Sequence, residues 1–281
     1  MRWKARRARG TTRKARVLIL ALAAAATYGS VTLVPTYVDA AAATRHPAAP
    51  KPSKPTATPV ATSGTGTAFG GTAAVGALFS VSDGQLGDHF CSASVVHSAD
   101  GDLAVTAAHC VTGVDGQMAF VPGYVNGKEP HGTWAVTAVY TDQAWQSSQD
   151  PDDDVAFLRL SGGAGGKSIE SVTGAEKMGI GWKVPALVRV TGYPDDAGQP
   201  ITCVNWAKPF SPTQLEFDCD GYADGTSGGP FHDGTTTATG RGTVIGVIGG
   251  YEQGGDTPDV SYAAVFGPAV AALYRAAEAG G

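Results

Sequence analysis

The chain lacks any fixed-period repeat, carries little leucine, and has no histidines at the spacing of a metal site. Without a period of about 20–50 residues, solenoids and propellers are excluded. Scarce leucine beside plentiful valine and threonine, with 39 glycines in 281 residues, argues against a helical protein and for an all-β chain with many turns. Charged residues are few, at 16% against 43% hydrophobic, an ordinary globular balance. His46 lies in a proline-rich stretch, and His89, His97, His131 and His232 stand in no common motif. No metal-ligand spacing joins them, so neither a metal nor another cofactor is expected. No cysteine is left over, since four is an even number.

What is present begins with a three-part leader. Arg2, Lys4, Arg6, Arg7, Arg9, Arg13, Lys14 and Arg16 form a basic head, an apolar run follows from Val17 to about Val34, and Ala40 to Ala43 are small. Charged, apolar and cleavable parts in that order read as a secretory signal over residues 1–43. The apolar run is about long enough to span a bilayer, so an uncleaved anchor to the cell envelope is the alternative. Residues 44–70, with Pro47, Pro50, Pro52, Pro55 and Pro59 among Ala, Thr, Ser and Lys, are expected to form an extended linker or pro-segment. Residues 71–281 are then the folded domain. Of 20 basic and 25 acidic residues the leader holds eight and one, the one being Asp39, so 12 face 24 in what remains. Such an acidic protein suits neither nucleic acid nor an anionic membrane as a partner. Membrane contact is expected only through the leader during export.

From Phe69 onward, short apolar runs alternate with turn residues. Phe90–Val96 and Leu103–Thr106 flank Asp100-Gly101, a strong hairpin signal. Reflection about that turn sets Cys91 opposite Cys110, and reflection about Ser211 sets Cys203 opposite Cys219. Four cysteines allow three pairings, and Cys91–Cys110 with Cys203–Cys219 is the one both hairpins support. In an exported protein these pairs should be bonded. The first bond would pin His109, the neighbour of Cys110.

Late in the chain, Asp224-Gly225-Thr226-Ser227-Gly228-Gly229-Pro230 places one hydroxyl in a glycine-rich turn. A serine nucleophile needs a positioned base, an orienting acid and donors for the developing oxyanion. Glycines on both sides would let the backbone turn tightly and aim the N–H groups of Gly225 and Ser227 at one carbonyl oxygen. A plain hairpin loop is the other reading of so short a stretch.

Thr106-Ala107-Ala108-His109-Cys110 resembles the catalytic-histidine motif of the chymotrypsin-fold serine peptidases, and Gly225–Pro230 resembles their nucleophile motif. The likeness extends over roughly Thr72–Gly280. Thr191-Gly192-Tyr193-Pro194 is similar to a segment of the bacterial secreted branch that includes the glutamyl endopeptidases. The resemblance implies an all-β fold of two six-stranded antiparallel barrels, at about 71–165 and 166–266, with a crossing at Ser161–Gly166. The alanine-rich run Pro268–Ala277, stopped by Gly280, reads as a C-terminal helix over 267–279.

The resemblance also implies His109 as general base and a carboxylate to orient it. The candidates lie in Asp150-Pro151-Asp152-Asp153-Asp154, directly before the apolar strand Val155–Leu160. Asp154, at the mouth of that strand, is best placed to be buried, and the family pattern points to it too. Asp153 is the fallback. Otherwise Asp150, Asp152 and Asp153 read as a solvated acidic loop or a weak calcium site.

In the second half, Leu215, Phe217 and Cys219 share one face of a strand that leads into the serine turn. Thr243–Tyr251 is a buried strand ending in glycines, and in the family this strand flanks the substrate. Gly249 and Gly250 are therefore expected to pair with a peptide, in a pocket lined by Gly221, Tyr222, Gly249, Gly250 and Tyr251. Departures from the family pattern narrow the expectation. Thr226 stands where the animal digestive enzymes carry an aspartate that binds the new N-terminal amine, so that activation switch is not expected. Gly221 stands where trypsin-like enzymes hold an aspartate for basic substrates. Val247-Ile248-Gly249 lacks the histidine of some glutamate-specific relatives. An apolar substrate side chain is expected instead.

Together these readings point to a secreted, extracellular, monomeric serine endopeptidase that hydrolyses polypeptides through an acyl-enzyme. His109, Asp154 and Ser227 form its triad, and Gly225 and Ser227 its oxyanion hole. Two alternatives belong to other classes. One is a catalytically silent cell-envelope binding protein on the same fold. The other is an esterase-type serine hydrolase, against which the order His, Asp, Ser argues.

Overall fold

Short runs of β-branched residues punctuated by glycine turns form two barrels. The computed structural model describes residues 64–114, 116–163, 165–234 and 241–280. The leader at 1–43, the linker up to residue 63 and His46 lie outside the described residues. Two short strands come first, β1 (Gly64–Thr65) and β2 (Thr67–Ala68). The first barrel comprises β3 (Val75–Ser82), β4 (Gln85–Val96), β5 (Leu103–Thr106), β6 (Gln117–Pro122), β7 (Trp134–Thr141) and β8 (Ala156–Gly162). It closes in the order β3-β4-β5-β8-β7-β6. Asp83 and Gly84, at φ 52° and 74°, turn β3 into β4 with the left-handed pair whose twist suits a hairpin. Leu78, Val95, Phe120, Trp134, Phe157 and Leu158 belong to one buried apolar cluster in and around this barrel. A short helix, α1 (Gln143–Ser148), and a 3-10 turn at Pro151–Asp153 lead into β8.

The crossing passes through α2 (Ile169–Thr173) and β9 (Lys177–Met178) into the second barrel. Its strands are β10 (Ala186–Gly192), β11 (Ile201–Pro209), β12 (Gln214–Asp220), β13 (Pro230–Asp233), β14 (Thr243–Val247) and β15 (Val260–Ala264). They run β15-β12-β11-β10-β13-β14. The curl is completed just past β14, where the Gly249 N–H donates to the Tyr262 carbonyl at 3.0 Å. Val188, Val190, Leu215, Phe217, Phe231 and Ile245 form this second interior.

Gly64–Ala68, which composition alone put in the linker, belong to the second barrel's sheet. Gly64 pairs with Cys219 and Ala68 with Ile201. A Cβ on Gly64 would come within 2.8 Å of the Cys203 Sγ, so β1 lies directly against a disulfide. The domain therefore begins before residue 71. Strand addition uses backbone groups and needs no apolar side chain, which is why composition gives no sign of it.

Both expected disulfides are present, Cys91–Cys110 and Cys203–Cys219. The ladders behind them are slipped by two residues from the reflected registers: Ser94 faces Val105, and Ala207 faces Phe217. The bonds still form because the ladders stop short of the sulfurs, with β5 ending at Thr106 and the β11–β12 pairing limited to Ala207–Pro209.

The terminal helix, α3 (Pro268–Ala279), buries Val270 and Ala277 against the first barrel's core. Arg159 of β8 donates to the Ala277 carbonyl at 2.5 Å and to Asp102 at 2.6 Å, a cation at the negative end of the helix. Among the described residues no helix is long and apolar enough to cross a membrane.

Candidate active site

Chain ends and turns from both barrels meet at one cleft of about 730 Å³, whose walls include His109 and Ser227. His109 leaves β5 in a turn closed by the Val111 N–H on the Ala108 carbonyl at 3.1 Å. Ala107 and Ala108 are buried beneath it, and the Cys91–Cys110 bond ties the turn to β4. The carboxylate expected to orient His109 comes from the turn before β8. Asp150 caps that turn by accepting the Asp152 N–H at 3.1 Å, and the chain then delivers Asp154 inward with its side chain at 0% exposure.

Asp154 accepts three N–H groups. Its Oδ1 takes the backbone N–H of His109, and its Oδ2 takes both the His109 ring Nδ1–H and the Gly250 N–H, each at 2.8 Å. With backbone donors on both oxygens the carboxylate acts as an acceptor throughout, so Nδ1 carries the ring proton. That leaves Nε2 with a lone pair able to take a proton. A Cβ on Gly249 would lie 2.9 Å from Oδ2, so the strand beyond β14 closes over the carboxylate only because that residue is glycine.

Asp153, the alternative acid, lies instead among like charges. Burial, then Asp142, Asp150 and Asp152, push its carboxyl up to about 6. Asp152 accepts from the Gln214 side-chain amide at 2.7 Å, and the Gln214 carbonyl oxygen accepts the Tyr251 N–H at 3.1 Å. Gln214 thus couples the acidic turn to the strand above Asp154, a link that nothing in the sequence pattern marks.

The serine loop is fully engaged through its carbonyls. Ala223 O accepts from the Thr226 N–H and hydroxyl, Asp224 O from Asp195, Gly225 O from the Ser92 hydroxyl, Thr226 O from Gly229, and Ser227 O from the Ser92 N–H. Among the described residues the N–H groups of Gly225 and Ser227 have no acceptor. Gly225 and Gly228 sit at φ 87° and 79°, and a Cβ on Gly228 would approach the Ser92 carbonyl to 2.2 Å. Only glycine gives both the turn and the close approach. Thr226, where an aspartate would await an N-terminal amine, closes its hydroxyl locally onto Ala223 at 2.7 Å. Ser227 is partly exposed in the cleft, and its hydroxyl has no hydrogen-bond partner among the described residues.

Of the five residues expected to line the substrate pocket, Tyr222 lines this cleft; Gly221, Gly249, Gly250 and Tyr251 lie outside its lining. Tyr222 is largely buried, donates to the Val190 carbonyl at 2.8 Å, and has its phenol pKa pushed up by burial. Gly250 cannot offer an edge to a peptide: its N–H goes to Asp154 and its carbonyl accepts from Gln253 at 2.9 Å. The chain then enters a 3-10 turn, Tyr251–Gly254, with Glu252 and Gln253 at φ 52° and 53°. Tyr251 packs against Phe210 and Tyr262. This turn and the stretch after it bring Glu252–Pro258 into the lining of the cleft, which also includes Asp224. The second glycine pair, Gly254-Gly255, was the sequence signal for that excursion.

The remaining histidines lie elsewhere. His89 meets the Pro194 carbonyl at 2.9 Å, His97 meets Glu170 at 2.8 Å, and His232 is buried beside Glu176. His109 lies close to the sulfurs of Cys91 and Cys110, but both are in the disulfide and offer no thiolate to a metal.

Paired barrels with the site between them define the chymotrypsin-like class of fold. Solved structures agree. Over 76% of this chain and all of its own, the protease Anisep from Arthrobacter nicotinovorans superposes with a TM-score of 0.65 at 23% identity. A thermostable serine protease, AL20, from an extremophilic microorganism gives 0.64 at 24% identity over 75% of this chain and 99% of its own. A Glu endopeptidase gives 0.61 at 13% identity over 79% of this chain and all of its own. The family model named Trypsin matches residues 63–266, so the chain belongs to the trypsin family of serine peptidases. No curated protein matches the sequence at a significant level.

Proposed function

We propose that this protein is a secreted serine endopeptidase in which Ser227, His109 and Asp154 form the triad. Ser227 Oγ attacks the substrate's peptide carbonyl while His109 Nε2 takes its proton. The resulting oxyanion is held by the free N–H groups of Gly225 and Ser227. Asp154 keeps the proton on Nδ1 and stabilises the imidazolium. His109 then protonates the leaving amine, and a water deprotonated by His109 releases the acyl group from Ser227.

The observation that carries this reading is the buried Asp154 carboxylate receiving both the backbone and the ring N–H of His109, which lines the same cleft as Ser227. The disulfides suit an oxidising compartment, and the acidic domain suits a polypeptide partner better than nucleic acid. We read the protein as a monomer.

The test is to treat the exported protein with a fluorophosphonate and locate the adduct by peptide mass. Labelling at Ser227, with hydrolysis of a casein-type substrate abolished in a folded Ser227→Ala variant, is the expected result. Hydrolysis that persists in Ser227→Ala would sink the assignment. A wild-type protein that is neither labelled nor hydrolytic would point to the silent binding protein.

A further inference from the structure

Ser92 lies on β4 of the first barrel, one residue after the cysteine that anchors the His109 turn. It is 0% exposed, and four hydrogen bonds converge on it. Its hydroxyl donates to the Gly225 carbonyl at 3.0 Å and accepts the Tyr193 N–H at 2.8 Å. Its N–H donates to the Ser227 carbonyl at 2.7 Å, and its carbonyl accepts from the Thr106 hydroxyl at 2.8 Å.

We infer that the Ser92 side chain is a positioning residue for the oxyanion hole. The inference rests on the peptidase reading above. Ser92 holds the Gly225 and Ser227 carbonyls, each in the peptide unit joined through one Cα to the unit that carries a free N–H, so it acts on the donors through the backbone angles of Gly225 and Ser227. Gly225, with no Cβ and φ at 87°, has the backbone freedom to swing its peptide planes if the carbonyl is released. Among the described residues the Ser92 hydroxyl is the side-chain group bonded to that carbonyl, and the Thr226 N–H of the same peptide unit donates to Ala223. The Ser92 hydroxyl also ties the Gly192-Tyr193-Pro194 segment to the loop, since Tyr193 N–H and Gly225 O meet on one oxygen atom. The first barrel thereby sets donor geometry in a loop that belongs to the second.

A donor pair that acts on the oxyanion contributes to the transition state and little to substrate binding. The experiment compares Ser92→Ala with wild type, both normalised to sites that react with the fluorophosphonate at long times. The expected result is a kcat lower by roughly 10- to 100-fold, less than deletion of a donor costs because the N–H groups remain, with KM within about twofold. A peptide aldehyde, whose adduct places an oxyanion in the hole, should lose affinity in parallel with kcat. The matched peptide alcohol, which places none, should bind unchanged. Ser92→Gly, which leaves room for a water in place of the hydroxyl, serves as a second variant should Ser92→Ala not fold. Wild-type kcat and aldehyde affinity per titrated site in the variant would overturn the inference, as would equal weakening of aldehyde and alcohol. A wild-type protein that never reacts would instead overturn the peptidase reading.

Discussion

Replacing Asp154 with asparagine tests the triad with the smallest change of shape. The carboxylate receives three N–H groups on two oxygens, and an amide has only one oxygen to offer. With the new NH₂ at the Oδ2 position, it opposes the Gly250 N–H and forces His109 to accept at Nδ1, so that Nε2 carries the proton and cannot act as base. With the NH₂ at the Oδ1 position, it opposes the His109 backbone N–H, and no negative charge remains to stabilise the imidazolium. Either orientation leaves at least one buried donor unmatched, at about 1–3 kcal/mol. For a domain of this size each kcal/mol lowers Tm by roughly 2–4 °C. The effect on rate is larger: kcat should fall on the order of 10³–10⁴-fold, the loss known for this exchange in a Ser-His-Asp triad. KM should hardly move, because a side chain at 0% exposure touches no substrate. Burst titration with steady-state kinetics, together with a thermal melt, separates the two effects. A folded Asp154→Asn enzyme with kcat within tenfold of wild type would refute the assignment. A comparable fall in Asp153→Asn alone would move the role to Asp153.

Two further outcomes follow from the charges around the site. Asp153, half-buried and pushed up to about 6 by burial and by Asp142, Asp150 and Asp152, holds its proton more tightly in the folded state than in the unfolded. Its ionisation therefore opposes folding as pH rises from about 4 through 6, and does not below that window. Asp153→Asn should stabilise the protein at pH 8 by on the order of 1 kcal/mol after allowance for solvent screening, and by nothing at pH 3.5. Equal effects at both pH values, measured by urea melts, would contradict this. The cleft wall carries Asp224, Glu252 and Asp256 and no lysine or arginine among the described residues. In matched peptides, a glutamate flanking the scissile bond should then lower kcat/KM roughly five- to tenfold against lysine, a gap that shrinks in 0.5 M salt. A preference for glutamate that survives high salt would overturn that account.

Much of this molecule was legible in one dimension because its signals are local. Asp100-Gly101 marked one hairpin, alternation marked Leu215, Phe217 and Cys219 as one buried face, and the cysteine spacings matched the two bonds that form. His109 and Ser227 stood in motifs whose neighbours are required by close packing, as the glycines around Ser227 show: a Cβ on Gly228 would strike Ser92. The burial of Asp154 could be inferred because the mouth of an apolar strand is where burial begins.

What the chain's order could not reveal are contacts between segments that only the fold brings together. Both hairpin ladders are slipped by two residues, and the disulfides form nonetheless because the ladders end before the cysteines. The attachment of β1 and β2 uses backbone groups that every residue carries. Gly250 was expected to receive a peptide, yet its N–H is taken by Asp154, 96 positions away. Ser92 and Gln214 look like ordinary strand residues in sequence, and their partners lie 133 and 62 positions off. Short-range rules of turn, alternation and steric fit act between neighbours and can be read from them. The aim of a hydrogen-bonding group buried where two barrels meet depends on how both barrels close, and that is decided only when the whole chain has folded.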